Sequence, residues 1–150
     1  MFLAGPAFEI KEYLLVSTTG GATLGRKRAA LVKFTTGVTF LVLYTLFAKQ
    51  FPVSKIYELE AASWYYHIGA ICMSIFFVRS KYYFAWKVAE GSTVLAGFGF
   101  QGYTDAGTAK GWNGVSNIDI FDFELAQSVR EASRTWNKGT QAWLERYVYA

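Results

Sequence analysis

Residues 29–48 read AALVKFTTGVTFLVLYTLFA, an apolar run broken by one charge, Lys33. At 1.5 Å per residue such a helix is about 30 Å long, the thickness of a bilayer's hydrocarbon core. It is apolar on every side, and a run like that is rare in a soluble domain of 150 residues. We read it as a membrane-crossing helix. Arg26-Lys27-Arg28 stands just before it. Lys33 sits about one turn inside that basic end, where its stem can carry the ammonium back to the headgroups.

A second run follows, and then a weaker third. Residues 61–78 (AASWYYHIGAICMSIFFV) carry no Asp, Glu, Lys or Arg. Trp64, Tyr65 and Tyr66 at one end and Arg79 and Lys81 at the other match interface anchoring. Residues 82–100 contain Lys87 and Glu90, three apart on one helical face, with Gly91, Gly97 and Gly99. A charged pair in such a segment faces protein or a wet cavity. It is either a bridge between helices or part of a site. The glycines favour a re-entrant segment over a full crossing. Positive-inside bias then places Arg26–Arg28 and Arg79/Lys81 on the same cytosolic side, with the later tail also cytosolic.

Composition agrees with a membrane protein. The chain is 53% hydrophobic and 19% aromatic, and only 17% charged, against a usual ~25% charged. That excludes a disordered chain. One cysteine excludes a disulfide scaffold. The net charge of +4 is scattered, without the basic stripe and stacking aromatics of a nucleic-acid binder. Neither end has a polar, frayed character, which suggests a piece of a longer chain.

Outside the apolar runs, residues 7–19 mix Phe8, Tyr13, Leu14 and Leu15 with Glu9, Lys11 and Glu12, as an interfacial amphipathic helix would. Residues 101–119 are a polar, glycine-punctuated loop. Asp119 or Asp122 can cap a helix whose face carries Leu125, Val129, Ala132, Trp136, Thr140, Trp143 and Tyr147. The expected fold class is therefore all-α: a polytopic membrane protein fragment with two to three transmembrane or re-entrant helices plus amphipathic helices.

No phosphate loop, dinucleotide fingerprint or nucleophile elbow is present. One cysteine and one histidine cannot build a Cys/His zinc site, so no metal is expected. Cys72, midway along an apolar run, reads as a small buried hydrophobe, and His67 as structural.

Three stretches carry a family resemblance. Residues 79–86 have the form RxKYYxxW. Residues 136–149 have the form WNxxTxxWLxxYVY. Residues 3–9 match an LAGP segment. Together they resemble the membrane-bound O-acyltransferase family and its lysophospholipid acyltransferase branch. The GFGFQGY stretch at 97–103 and the NIDI stretch at 117–120 are most similar to plant and algal lysophosphatidylcholine acyltransferases. The resemblance implies a multi-pass enzyme of the endoplasmic reticulum membrane that moves an acyl group from acyl-CoA to a lysophospholipid hydroxyl. Acyl-CoA is a co-substrate, and no cofactor is implied. Asn137 matches the family's reaction-centre Asn. The partner His belongs to a later segment, so residues 1–150 would be a partial domain, truncated at both ends and inactive alone.

The resemblance also implies a substrate-contacting set. Arg79 and Lys81 could meet a phosphate of CoA or of the headgroup, or simply anchor the interface. Tyr82, Tyr83 and Trp86 could pack or line an acyl tunnel. Glu90, Asn117, Trp136, Thr140 and Trp143 complete the set. The alternatives are a family member with a sterol, diacylglycerol or protein acceptor, and a non-catalytic membrane scaffold or transport subunit.

Overall fold

The computed structural model describes residues 8–22, 24–54 and 63–149. Residues 3–7 of the LAGP segment, residues 61–62 of the second apolar run and the first residue of the expected 7–19 helix lie outside them. Six helices follow in order: α1 (Ile10–Thr19), α2 (Arg26–Phe47), α3 (Trp64–Leu95), α4 (Ile120–Glu124), α5 (Val129–Thr135) and α6 (Lys138–Tyr147). A short 3-10 turn, Ala48–Gln50, closes α2. No strand forms among the described residues; Tyr103 and Ala109 make one isolated bridge.

Helices α2 and α3 pack antiparallel. Ala30 lies against Val94, Phe40 against Tyr83, and Phe51 against Phe77. The axes approach closely because small residues sit at the crossings. A Cβ on Gly37 would lie 3.0 Å from Val88 Cγ2 and 3.2 Å from the Phe84 carbonyl. One on Gly91 would lie 3.0 Å from the Phe34 ring and 3.2 Å from the Ala30 carbonyl.

The pattern is inverted relative to a soluble hairpin. The buried stripe of α2 is Ala30, Lys33 and Gly37. Its outward residues Leu31, Val32, Val38, Val42 and Leu46 are exposed. Thr35, Thr36 and Thr39 donate their hydroxyls to carbonyls one turn back, at 3.0, 2.8 and 2.9 Å. Those hydroxyls are thereby satisfied within the helix, as lipid demands. By length and composition, Arg26–Gln50 is long and apolar enough to cross a membrane, and it is the one such helix among the described residues.

Helix α3 corrects four expectations. It runs unbroken for 32 residues, about 48 Å, so the second and third apolar runs are one helix and no re-entrant turn interrupts residues 64–95. Gly91 does not break it because its missing side chain is used at the α2 crossing. The chain leaves the helix only at Gly97, whose φ is 106°. The two basic clusters do not share one side. Lys81 stands over the Tyr44 ring, 5.6 Å from its centroid, near the far end of α2. Arg79 is thus roughly 24 Å along α3 from Leu95, the end level with Arg26. Cys72 is exposed rather than buried, because α3 extends past the point where α2 ends.

After α3 the chain turns back over the Arg26 end of the pair. Gly99 makes this possible: its φ is 84° and an added Cβ would lie 2.6 Å from Val115 Cγ2. Val115 joins Ala30, Val94 and Trp112 in one core cluster. Trp112 Nε1 donates to the Leu24 carbonyl at 2.9 Å, and the Gly99 N–H donates to Glu12 Oε1 at 2.7 Å. The loop thereby ties α1, the start of α2 and the end of α3 together.

The single amphipathic helix expected after residue 119 is three short ones. Asp119 occupies the cap position of α4 but makes no side-chain cap bond. Ser128 caps α5, accepting from the Glu131 N–H, while Glu131 accepts from the Gln127 N–H at 2.9 Å. This resembles a capping box shifted by one residue, with Glu131 reaching the residue before the cap, and it starts a new helix. Asn137, with φ 51°, separates α5 from α6. Leu125 and Val129 of the expected apolar face are therefore 76% and 88% exposed.

Candidate active site

A charge sits at the centre of the α2–α3 pair. Glu90 is fully buried, and its Oε2 accepts from Lys33 Nζ and from Lys87 Nζ, both at 2.9 Å. Lys33 therefore does not reach out to headgroups, as expected from its position; it is 8% exposed and turned inward. Its remaining reach goes to Asn113 Oδ1 at 3.1 Å. Lys87 also donates to the Ile118 carbonyl at 2.7 Å. Glu90 offsets the desolvation of the two ammonium groups in part, and the Asn113 amide oxygen and the Ile118 carbonyl each take one further N–H.

The other oxygen of Glu90 fixes the next shell. Oε1 accepts from the Asn117 backbone N–H at 2.7 Å. Asn117 is itself buried, and its side chain is oriented by a backbone group: Oδ1 accepts from the Gly139 N–H at 2.9 Å. A backbone N–H can only donate, so Oδ1 must face it and Asn117 Nδ2 must face the other way. There Nδ2 donates to Asn137 Oδ1 at 3.2 Å. That in turn fixes Asn137: Oδ1 points into the protein, where the Thr140 hydroxyl also donates to it at 2.9 Å. Its Nδ2 makes no hydrogen bond among the described residues. The amide is held as a donor with its two N–H bonds to spend.

The backbone of Asn137 is unusual too. It is the one non-glycine residue with positive φ among those described. Asn is one of the few residues that tolerate this left-handed region. The Lys138 N–H donates to the Asn117 carbonyl at 2.9 Å, and the Lys138 ammonium pairs with Asp119. These contacts hold the strained residue in place from both sides.

The two long motifs meet in an aromatic cluster. The Trp136 ring contacts Trp86 and Phe123, each at 4.8 Å between centroids, Tyr82 at 5.8 Å and Tyr83 at 6.0 Å. RxKYYxxW is thus the socket for the tryptophan that precedes Asn137. Beside it, Arg79 donates to both oxygens of Glu124, at 2.9 and 2.6 Å, and the Tyr83 hydroxyl donates to the same carboxylate. Arg79 also lies over Phe123, 5.6 Å from its centroid. Its guanidinium is occupied within the protein.

The remaining expected site residues divide. Thr140 touches Asn137 directly. Trp143 packs on Tyr147 along α6, 41% exposed. Lys81 is exposed and apart from the cluster. Glu90 and Asn117 are enclosed, with all their polar side-chain atoms engaged. Sequence reasoning overlooked Asn113 and Glu124. Their partners lie 80 and 45 residues away, so no local spacing announces them. Among the described residues no group of His, Cys, Asp and Glu could hold a metal ion.

A family model for membrane-bound O-acyltransferases matches residues 1–150. The chain is 37% identical over 125 residues to the lysophospholipid acyltransferase of Saccharomyces cerevisiae, covering 81% of this chain and 20% of that protein. It is 33% identical to lysophospholipid acyltransferase 2 of Arabidopsis thaliana, covering 97% of this chain and 34% of that one. It is 34% identical to membrane-bound glycerophospholipid O-acyltransferase 2 of Homo sapiens, over 73% of this chain and 21% of that protein. The chain thus spans about a third or less of the length of these relatives. The matched span takes in both motifs of the aromatic socket and the Asn117–Asn137 relay: the chain belongs to the membrane-bound O-acyltransferase family.

Proposed function

We propose that this chain is part of a multi-pass lysophospholipid acyltransferase of the endoplasmic reticulum membrane. It transfers an acyl group from acyl-CoA to the free hydroxyl of a lysophospholipid, with lysophosphatidylcholine as the first acceptor to test. α2 crosses the bilayer, and α3 makes a second crossing beside it. The relatives' names and the inverted α2–α3 surface support this reading.

Asn137 is the catalytic residue on this chain. The observation that carries the assignment is the relay Glu90–Asn117–Asn137, which leaves the Asn137 NH₂ free to donate. In the reaction the acceptor hydroxyl attacks the thioester carbonyl, and negative charge develops on the carbonyl oxygen. A preset amide donor stabilises that charge or aligns the hydroxyl. A histidine from the rest of the protein takes the hydroxyl proton. The C–S bond then breaks and the CoA thiolate leaves. Tyr82, Tyr83, Trp86 and Trp136 hold the socket, and Arg79 braces α4 through Glu124. Glu90, Asn117 and Thr140 act through Asn137 as positioning residues, while Lys81 and Trp143 remain open to substrate.

The cleanest test exploits the left-handed backbone. Asn137→Gly keeps the φ and removes only the amide, whereas Asn137→Ala adds backbone strain. In the full-length protein, Asn137→Gly should lower kcat by roughly 10²–10³ while expression holds and the fold loses no more than the about 1–3 kcal/mol of an unpaired Asn117 Nδ2. Near wild-type turnover would refute the assignment. Acyl transfer to a sterol but to no lysophospholipid would refute the acceptor.

A further inference from the structure

A cleft of about 450 Å³ opens beside the first turn of α2. It is within the size range of small-molecule sites and too large for a lone ion. Arg28, Lys33, Lys87, Asn113 and Trp112 line it together with Thr36, and no carboxylate does. Asn137 does not line it.

The charge balance of the cleft is uneven. Lys33 and Lys87 share one carboxylate, Glu90. Arg28 is paired with no carboxylate among the described residues. Three cations against one anion leave two positive charges uncompensated around the cavity. The helix adds to this. Its first turn holds Arg26, Lys27 and Arg28, no acidic residue and no side-chain cap. Cations at the positive end of a helix dipole repel it. Local rules are broken at functional or strained sites, and an anion from outside would relieve this one. Meanwhile Arg79, the cation in the motif that resembled a phosphate contact, is occupied by Glu124.

We infer that this cleft is a phosphate-binding site, built from Arg28, Lys87, Lys33 and Asn113, that holds a phosphate of one of the two reactants. The inference rests on the acyltransferase reading for its ligand class. Both reactants carry phosphate: a pyrophosphate and a ribose phosphate on the acyl donor, a phosphodiester on the lysolipid. Because Lys33 and Lys87 both hold Glu90, filling the cleft would also bear on the relay that sets Asn137.

Arg28 is the residue to change, since it is exposed and contacts no part of the relay. In the full-length enzyme Arg28→Gln should raise one KM by about tenfold, the loss expected for one charge-assisted hydrogen bond, with kcat unchanged. A rise in the KM for acyl-CoA assigns the site to the donor; a rise in the KM for lysophospholipid assigns it to the acceptor. Unchanged values for both would overturn the inference and leave the acyltransferase reading standing. A second readout does not need activity. Adenosine 3′,5′-bisphosphate or inorganic pyrophosphate should raise the melting temperature of the wild-type protein in detergent for the donor site, and glycerophosphocholine for the acceptor site. Arg28→Gln should remove that rise. If the protein acylated no lysophospholipid, the proposed activity would fail, while a phosphate-dependent rise lost in Arg28→Gln would still uphold the cleft. If Arg28→Gln weakened binding to anionic vesicles but left both KM values and the melting-temperature rise intact, Arg28 would be a membrane-surface contact and the inference would be wrong.

Discussion

Two ionic groupings tie α3 to other parts of the chain, Arg79–Glu124 to α4 and Lys33–Glu90–Lys87 to α2, and they do so in different ways. Arg79–Glu124 is bidentate, and both side chains are 23% exposed. Lys33–Glu90–Lys87 is a triad whose side chains are 9%, 0% and 12% exposed. The first is a brace beside an aromatic socket; water reaches it, and α4 has Ile120 and Phe123 as further anchors. The second is almost wholly enclosed, opening only where Lys33 and Lys87 reach the cleft, and it holds the Asn117 backbone through Glu90. An exposed pair can be weakened and replaced by water, whereas a buried one that loses a member leaves bare charge behind. The difference teaches where this fold keeps its precision: at Glu90, not in the motif that first draws the eye.

The comparison breaks most visibly at Glu90. Glu90→Ala leaves two buried ammonium groups facing each other and should cost about 3–5 kcal/mol, read as a lower melting temperature of the full-length protein in detergent. Replacing the whole triad (Lys33→Met, Glu90→Leu, Lys87→Met) should restore most of that stability, because a well-packed apolar set often matches a buried ion cluster. Acyl transfer should stay low in the triple variant, since Asn117 has lost the acceptor for its N–H. Recovery of activity along with stability would make the triad a bridge between helices and nothing more.

A smaller effect is expected at the brace. Arg79→Ala should cost about 1–2 kcal/mol, with KM and kcat moving little at temperatures where the protein stays folded. A loss of kcat as deep as that of Asn137→Gly would erase the distinction drawn between the two pairs. The smallest effect belongs to Lys11, whose side chain is 82% exposed in its pair with Glu9. Lys11→Ala should change the melting temperature by no more than about 0.5 kcal/mol implies.

The most legible part of the fold was α2. A long apolar run bounded by Arg26-Lys27-Arg28 predicts a helix over 29–48, and the helix is Arg26–Phe47. α3 was harder. Arg79 and Lys81 look like a boundary when weighed against lipid; the Lys87–Glu90 pair is legible from its spacing and forms, yet Glu90 is also matched to Lys33 across 57 residues. Periodicity has no access to a partner that far away. The break at Ser128 could have been found, since Ser128-Val-Arg-Glu131 has the capping-box spacing. The left-handed turn at Asn137 was masked, because the helical spacing of Ala132, Trp136, Thr140 and Trp143 runs straight through it. Of the site, the resemblance pointed to Asn137 and to the aromatic residues around Trp136, but not to their contact. The orientation of the Asn137 amide depends on the Gly139 N–H meeting Asn117, which no motif encodes.

The relay from Glu90 also carries an order of assembly. Its bonds span 57 residues from Lys33 to Glu90, 27 from Glu90 to Asn117 and 20 from Asn117 to Asn137. The first lies between two long helices that can pair as a hairpin while the chain is still being made. The second waits until residues 98–118 fold back over the hairpin. The third joins residues only 20 apart, and Gly139 and Thr140 complete it locally, where loop closure costs little. The Asn117–Asn137 unit can thus assemble by itself, and docking on Glu90 decides only where it stands against α3.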